Sequence, residues 1–120
     1  MRILVVEPEH KPYEYEIDGS LKSMQKVVGG IIQALYPFEE AVALVANDEA
    51  KLLGLPMNRA LRGEDGKLYD ILCGMFFLCG IEEDSFSSLT DEQVQHFKEV
   101  FAVPEMFLKF NGNLLVLPME

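Results

Sequence analysis

A chain of 120 residues that is 49% hydrophobic and 25% charged has the size and composition of one globular domain, and it is too apolar to be disordered. Its 20 acidic residues outnumber 10 basic ones, and the formal charge of −10 disfavours direct binding to nucleic acid or to anionic membranes. The chain has no apolar segment near the roughly 20 residues that cross a bilayer and only two cysteines. We therefore expect a cytoplasmic protein that folds as a single domain over residues 1–120.

The N-terminal segment predicts a β-hairpin followed by a helix. Residues 3–6 are a short β-branched run, and in residues 13–17 apolar and acidic residues alternate, as in a strand with one buried face. Ser20 suits a helix N-cap, and Gly29 suits the left-handed residue that ends a helix. The pattern therefore predicts a helix over about 20–28.

The middle of the chain predicts short elements separated by turn residues. They are strands over 31–36 and 41–46, single helical turns over 47–53 and 57–62, and a turn over 63–66. Residues 67–80 are the longest apolar segment, which predicts one central strand with both faces buried. Cys73 and Cys79 would lie on one face of that strand about 20 Å apart, so we expect reduced thiols and no disulfide between them.

The C-terminal segment predicts a helix and a hairpin. Thr90 and Gln93 form a capping box before a helix over about 91–102, which Pro104 ends. Asn111-Gly112 then predicts a two-residue hairpin turn between two apolar strands. If the core does not cover the apolar side chains of this hairpin, Met106 to Leu117, a second subunit would cover them, and the protein would be a homodimer.

The sequence contains no recognised catalytic or metal-binding motif. His10 and His96 are isolated and lack a partner at zinc-ligand spacing, and no G-x-S-x-G motif is present. We therefore predict no metal, no cofactor and no catalytic residues, and we expect a protein that is not an enzyme.

One polar cluster stands out in an apolar segment and is the candidate binding site. It consists of Asn58, Arg59, Arg62, Tyr69 and Asp70. An arginine among apolar residues usually reaches a carboxylate, so the first interpretation is a structural pair between Arg59 and Asp70. The alternative is an anion or partner-binding site, or a small-ligand or enzyme site, around these residues.

A series of short motifs follows an order that resembles one family. The motifs are Tyr36-Pro37-Phe38, Ala43-Leu44-Val45, Asn47, Gly54-Leu55-Pro56, Asn58-Arg59-Ala60-Leu61, Tyr69-Asp70-Ile71, Gly74-x-Phe76-Phe77 and Ser88-Leu89-Thr90-Asp91-Glu92-Gln93. Over roughly residues 1–107 they resemble the domain-of-unknown-function family numbered 3846, which occurs in phages and integrated mobile elements, especially of Gram-positive bacteria. The resemblance implies an accessory or regulatory protein and assigns no catalytic residue.

These observations predict an α+β protein with a mixed or antiparallel sheet of about five to seven strands, two or three short helices and a C-terminal β-hairpin. The leading functional hypothesis is an accessory protein that binds another protein or itself. The alternative from another class is an acidic mimic of DNA that inhibits a nucleic-acid enzyme, because residues 82–120 hold eight acids and two bases, a net charge of −6.

Overall fold

The computed structural model describes residues 1–119, and this part of the chain forms ten strands and two helices. In chain order they are β1 (Arg2–Val6), β2 (Tyr13–Glu16), α1 (Leu21–Val28), β3 (Ile32–Leu35), β4 (Val42–Asn47), β5 (Met57–Arg62), β6 (Leu68–Cys73), β7 (Phe76–Glu82), β8 (Ser85–Ser87), α2 (Asp91–Val100), β9 (Glu105–Phe110) and β10 (Asn113–Pro118). The α+β class, the antiparallel sheet and the C-terminal hairpin are confirmed. Neither helix comes near the length needed to cross a membrane.

The main sheet has the strand order β2-β1-β7-β4-β3. The short strand β8 pairs with the last three residues of β7, Gly80 to Glu82. Every pairing in it is antiparallel. The strands β1, β4 and β7 lie in the middle and are almost wholly buried. Because successive side chains of a strand point to opposite faces, these three strands supply apolar residues to both sides of the sheet.

Each face of the main sheet has its own core. On one face, α1 places Met24 and Val28 against side chains that include Ile3, Val45 and Phe77. On the other face, α2 and the small sheet β5–β6 pack on the alternate residues. The buried members of that second core are Leu4, Val6, Val42, Leu44, Ala46, Leu61, Leu72, Phe76, Leu78, Leu89, Val94, Phe97 and Phe101. The main sheet is therefore covered on both sides by elements of this chain.

Both helices begin where the capping residues predicted. The Ser20 hydroxyl accepts a hydrogen bond from the Ser23 amide, and α1 ends at Gly29, whose φ is 79°. Thr90 and Gln93 form the complete capping box of α2. These predictions succeeded because a cap is read from residues that are three apart in the chain.

The segment 57–80 differs from its prediction. Residues 57–62 are the strand β5 and not a helical turn, and residues 67–80 are two strands, β6 and β7, in different sheets. The chain breaks between them at Gly74, which has a φ of 74° and donates its N–H to the Pro56 carbonyl. A Cβ at this glycine would lie 2.8 Å from Leu55 Cδ1 and 3.3 Å from Leu55 Cβ, and the positive φ disfavours any L side chain, so the turn favours glycine. Cys73 and Cys79 consequently lie on separate strands, and both are free.

Two smaller sheets complete the structure. β5 pairs with β6, with a register shift between Met57 and Arg59 that marks a bulge at Asn58. β9 pairs with β10 around the predicted Asn111-Gly112 turn, where both residues have positive φ, 50° and 78°. The hairpin β9–β10 is hydrogen-bonded as a sheet to no other strand of the described chain.

Candidate functional site

The five predicted site residues fall in two separate places. Arg59 and Arg62 line a groove of about 450 Å³ next to the hairpin, and Asn58 lies beside Arg59. Tyr69 and Asp70 line a different groove of about 600 Å³ with Leu55. These positions therefore do not converge on one pocket. Their assignment as binding residues stays a prediction, and the contacts of each show what it does in the fold.

Arg59 is the largest of the deeply buried side chains, with 1% of its surface exposed. Its Nη2 group donates to the carbonyl oxygens of His10 at 2.6 Å and Phe101 at 3.1 Å. Its Nη1 group donates to the Asn58 side-chain oxygen at 2.8 Å and the Glu7 carbonyl at 3.5 Å. One guanidinium group thus joins the β1–β2 loop, the end of α2 and its own strand.

The expected pair between Arg59 and Asp70 is wrong. None of the ion pairs formed by residues 1–119 includes Arg59. Asp70 instead accepts a hydrogen bond from Lys51 at 2.7 Å. Backbone carbonyls carry partial negative charge, and the Phe101 carbonyl lies at the negative end of the α2 dipole, so backbone dipoles take the place of a carboxylate.

Burial has an electrostatic cost for Arg59. It lowers the pKa of the guanidinium group, and the nearby Glu105 carboxylate opposes that shift. Within residues 1–119, the Arg59 Nε atom is buried without a hydrogen-bond partner. The remaining nitrogen donors are directed at protein oxygens, so the observed contacts leave little of this side chain for an external anion.

Asn58 is fully buried and completes the same network. Its Nδ2 group donates to the Val6 and Gly74 carbonyls, both at 2.9 Å. It therefore connects the end of β1, the turn between β6 and β7, and Arg59. Because Asn58 occupies the bulge of β5, its side chain is free to bridge the small sheet to the main sheet.

Arg62 has a different role, because it connects β5 to the hairpin. Its Nη2 group donates to Glu105 Oε2 at 3.1 Å, while Glu105 Oε1 accepts the Ala60 amide at 2.9 Å. Only 13% of the Glu105 side chain is exposed. These two contacts hold the first residue of β9 against β5.

The hairpin itself carries a surface that the sequence indicated only as apolar strands. The register pairs Met106 with Leu117, Leu108 with Leu115 and Phe110 with Asn113. These six residues share one side of the ribbon, which we name the outer hairpin face. Its apolar members are between 37% and 63% exposed.

The opposite side, the inner hairpin face, turns toward the domain. Glu105, Val116 and Pro118 of this face line the 450 Å³ groove together with β5 and the end of α2. Phe107 and Leu114 on the same side are half-buried. The outer hairpin face therefore points away from the rest of the chain.

Two other kinds of site were considered, a metal site and a row of acids that mimics DNA phosphates. Over residues 1–119, no group of three or more His, Cys, Asp or Glu side chains is placed to hold a metal ion. Several carboxylates are ion-paired within the chain, among them Glu14 with Arg2 and Lys98, and Asp91 with Arg2. Such pairing removes acids from any phosphate-like row, and the DNA-mimic interpretation stays a prediction.

The chain matches a known protein family. The family model described as "Domain of unknown function (DUF3846)" matches residues 1–102. That range contains the main sheet, both helices and the β5–β6 sheet, and it ends just before the hairpin. No curated protein and no solved structure matches the chain.

Proposed function

Because the chain belongs to the DUF3846 family, whose description assigns no activity, we propose that it is an accessory or regulatory protein that acts by binding protein. Its partner is another protein or a second copy of the chain. The outer hairpin face is the contact surface.

One observation carries this proposal. The outer hairpin face is a continuous strip of apolar side chains with no charged residue, and no other element of the described chain covers it. Contiguous exposed apolar surface is typical of protein interaction sites. By contrast, the reactive side chains of the predicted site are used in contacts that hold the fold together.

The biological setting is part of the same proposal. The resemblance described above supports an origin in a phage or mobile element, where small accessory proteins regulate larger ones. The two free thiols, Cys73 and Cys79, support a location in the cytoplasm, where the environment is reducing.

Site-specific photo-crosslinking tests the proposal. A photoreactive amino acid is placed at Leu108 on the outer face or, as the matched control, at Lys109 on the inner face of the same strand. We expect a discrete protein adduct, with another protein or with a second copy, from position 108 and none from position 109. Equal labelling from both positions, or no adduct from position 108, would contradict a contact at this surface.

A further inference from the structure

We propose that the outer hairpin face is covered by the same face of a second copy, so that two hairpins stack across a twofold axis. This inference rests on the proposed function, since it names the partner of the same surface. Three observations support the inference: the charge of the hairpin, the register of its strands and the size of its apolar face.

Charge separates the hairpin from the rest of the molecule. The chain carries −10 overall, whereas residues 103–119 contain one acid, Glu105, and one base, Lys109. Both lie on the inner face, and Glu105 is already paired with Arg62. A basic partner would be drawn to the acidic body and not to this neutral strip. Two copies, which repel each other elsewhere, can approach through their hairpins because the outer faces carry no charge.

The register makes the outer face complementary to itself. Its side chains form two short rows, one from β9 and one from β10, in which Leu108 lies directly beside Leu115 at the centre. A twofold axis through that centre places apolar rows on apolar rows, as an isologous interface requires. Sheets packed face to face lie about 10 Å apart and interdigitate such side chains.

Stacking of faces explains the apolar surface better than pairing of strand edges. The free edge of β10 exposes the backbone groups of Leu114 and Val116, because the alternate residues bond to β9. Addition of a strand at that edge would extend the ribbon in its own plane. The outer face would then double in area and still be in contact with water, whereas stacking removes it from water.

The size of the face sets the strength of the interaction. Six residues per strand give a ribbon roughly 20 Å long and roughly 10 Å wide. That is smaller than the roughly 800 Å² per partner that a standard interface buries, so the dimer is weak and reversible. The hairpin gains from it, because a two-stranded ribbon is only marginally stable in water and the domain packs against its inner face alone.

Sedimentation equilibrium of the full chain, from about 1 µM to about 1 mM, tests the inference. Leu108→Glu places a charge on the outer face, and Lys109→Gln changes the neighbouring inner residue. Each substitution lowers the formal charge by one unit, so the electrostatic repulsion between two copies is the same in both variants.

We expect the wild type and Lys109→Gln to form dimers over the same concentrations, and Leu108→Glu to weaken association at least about tenfold. Circular dichroism verifies folding, and Leu115→Ser is the second variant if Leu108→Glu is unfolded.

Three results would overturn the inference. They are a wild type that stays monomeric over the whole range, a Leu108→Glu variant that dimerises as well as the wild type, and protection of the Leu114 and Val116 amides from hydrogen exchange on dimerisation, which would indicate edge pairing. If the protein is a monomer but still crosslinks to a different protein from position 108, the partner is not a second copy, and the proposed function is retained. A monomer with no adduct rejects both.

Discussion

The main sheet and the C-terminal hairpin use the same apolar residue types in opposite ways. Leu44 and Phe77 in the sheet are completely buried, whereas Leu108 and Phe110 in the hairpin are 45% and 63% exposed. The sheet has a helix on each face, but the outer hairpin face has no cover from the described chain. Apolar side chains therefore build the fold in the first region and, in our proposal, a contact in the second.

The two arginines of β5 show the same division between interior and surface. Arg59 is buried and donates to carbonyls of two distant segments, the β1–β2 loop and the end of α2, whereas Arg62 is half exposed and forms one ion pair with the hairpin. The first contributes to the stability of the body. The second fixes the position of the hairpin on that body.

A matched pair of phenylalanine truncations should give the largest difference between the two regions. Phe97→Ala removes a ring that is 1% exposed and lies 4.7 Å from the Phe38 ring, and it should lower the free energy of unfolding by about 3–5 kcal/mol. Phe110→Ala removes a ring that is 63% exposed, and it should cost less than about 1 kcal/mol. Urea denaturation of both variants at low protein concentration measures the difference, and similar losses would show that the hairpin is part of the core.

The second prediction concerns Arg59 and uses Arg62 as its control. Arg59→Ala removes the donor of the part-buried His10 carbonyl and of the buried Phe101 carbonyl, and it should cost at least about 3 kcal/mol or prevent folding. Arg59→Lys should not restore stability, because an ammonium group lacks the planar fork that donates to the β1–β2 loop, the end of α2 and Asn58 at the same time. Arg62→Ala should cost no more than about 1 kcal/mol. Thermal melts distinguish the variants, and a stable, well-folded Arg59→Ala protein would instead favour a ligand-binding role.

Local features of this fold could be predicted from the sequence, whereas the contacts of Arg59 could not. The helix caps at Ser20 and Thr90 and the Asn111-Gly112 turn were predicted correctly, since each is encoded by residues a few positions apart. The partners of Arg59 were not, because they are backbone carbonyls brought together from residues 7, 10 and 101. Backbone groups leave no side-chain signature in the sequence, so the sequence favours a carboxylate as the partner.

The sequence predicts a single strand where the structure has β6 and β7, and the reason is related. A run of apolar residues looks the same whether it forms one strand or two, and only Gly74 indicated a break. The outer hairpin face was foreseen only in part. The apolar residues of the hairpin were evident, but which of them the domain covers depends on how Glu105 docks on β5.

Alanine at two glycines should give a smaller difference between the regions. Both Gly74 and Gly112 have positive φ, 74° and 78°, which disfavours any L side chain. A Cβ at Gly74 would also clash with Leu55, whereas nothing lies within 4 Å of one at Gly112. Gly74→Ala should therefore cost about 2–3 kcal/mol and Gly112→Ala about 1 kcal/mol, measured by urea denaturation. The reverse order would contradict the tight turn at Gly74.

The smallest effect concerns thiol reactivity and pH. Burial raises the pKa of the Cys79 thiol from about 9 to about 12. Because the folded pKa is the higher one, its contribution to stability is complete below pH 9 and is lost as the pH rises from 9 to 12. At pH 8 a thiol reagent should leave Cys79 unmodified in the native protein and should label a Leu108→Cys variant rapidly at low protein concentration. Fast labelling of Cys79 would show that the sheet opens readily.

The central claim is that the outer hairpin face stabilises a contact and not the fold of one chain. The most direct test is the free energy of unfolding of a Leu108→Ser/Leu115→Ser double variant, measured at a dilution where the protein is monomeric. We expect a loss below about 1 kcal/mol per site, because both side chains are already more than 40% exposed. A loss of about 3 kcal/mol or more per site would place these residues in the core and contradict the claim.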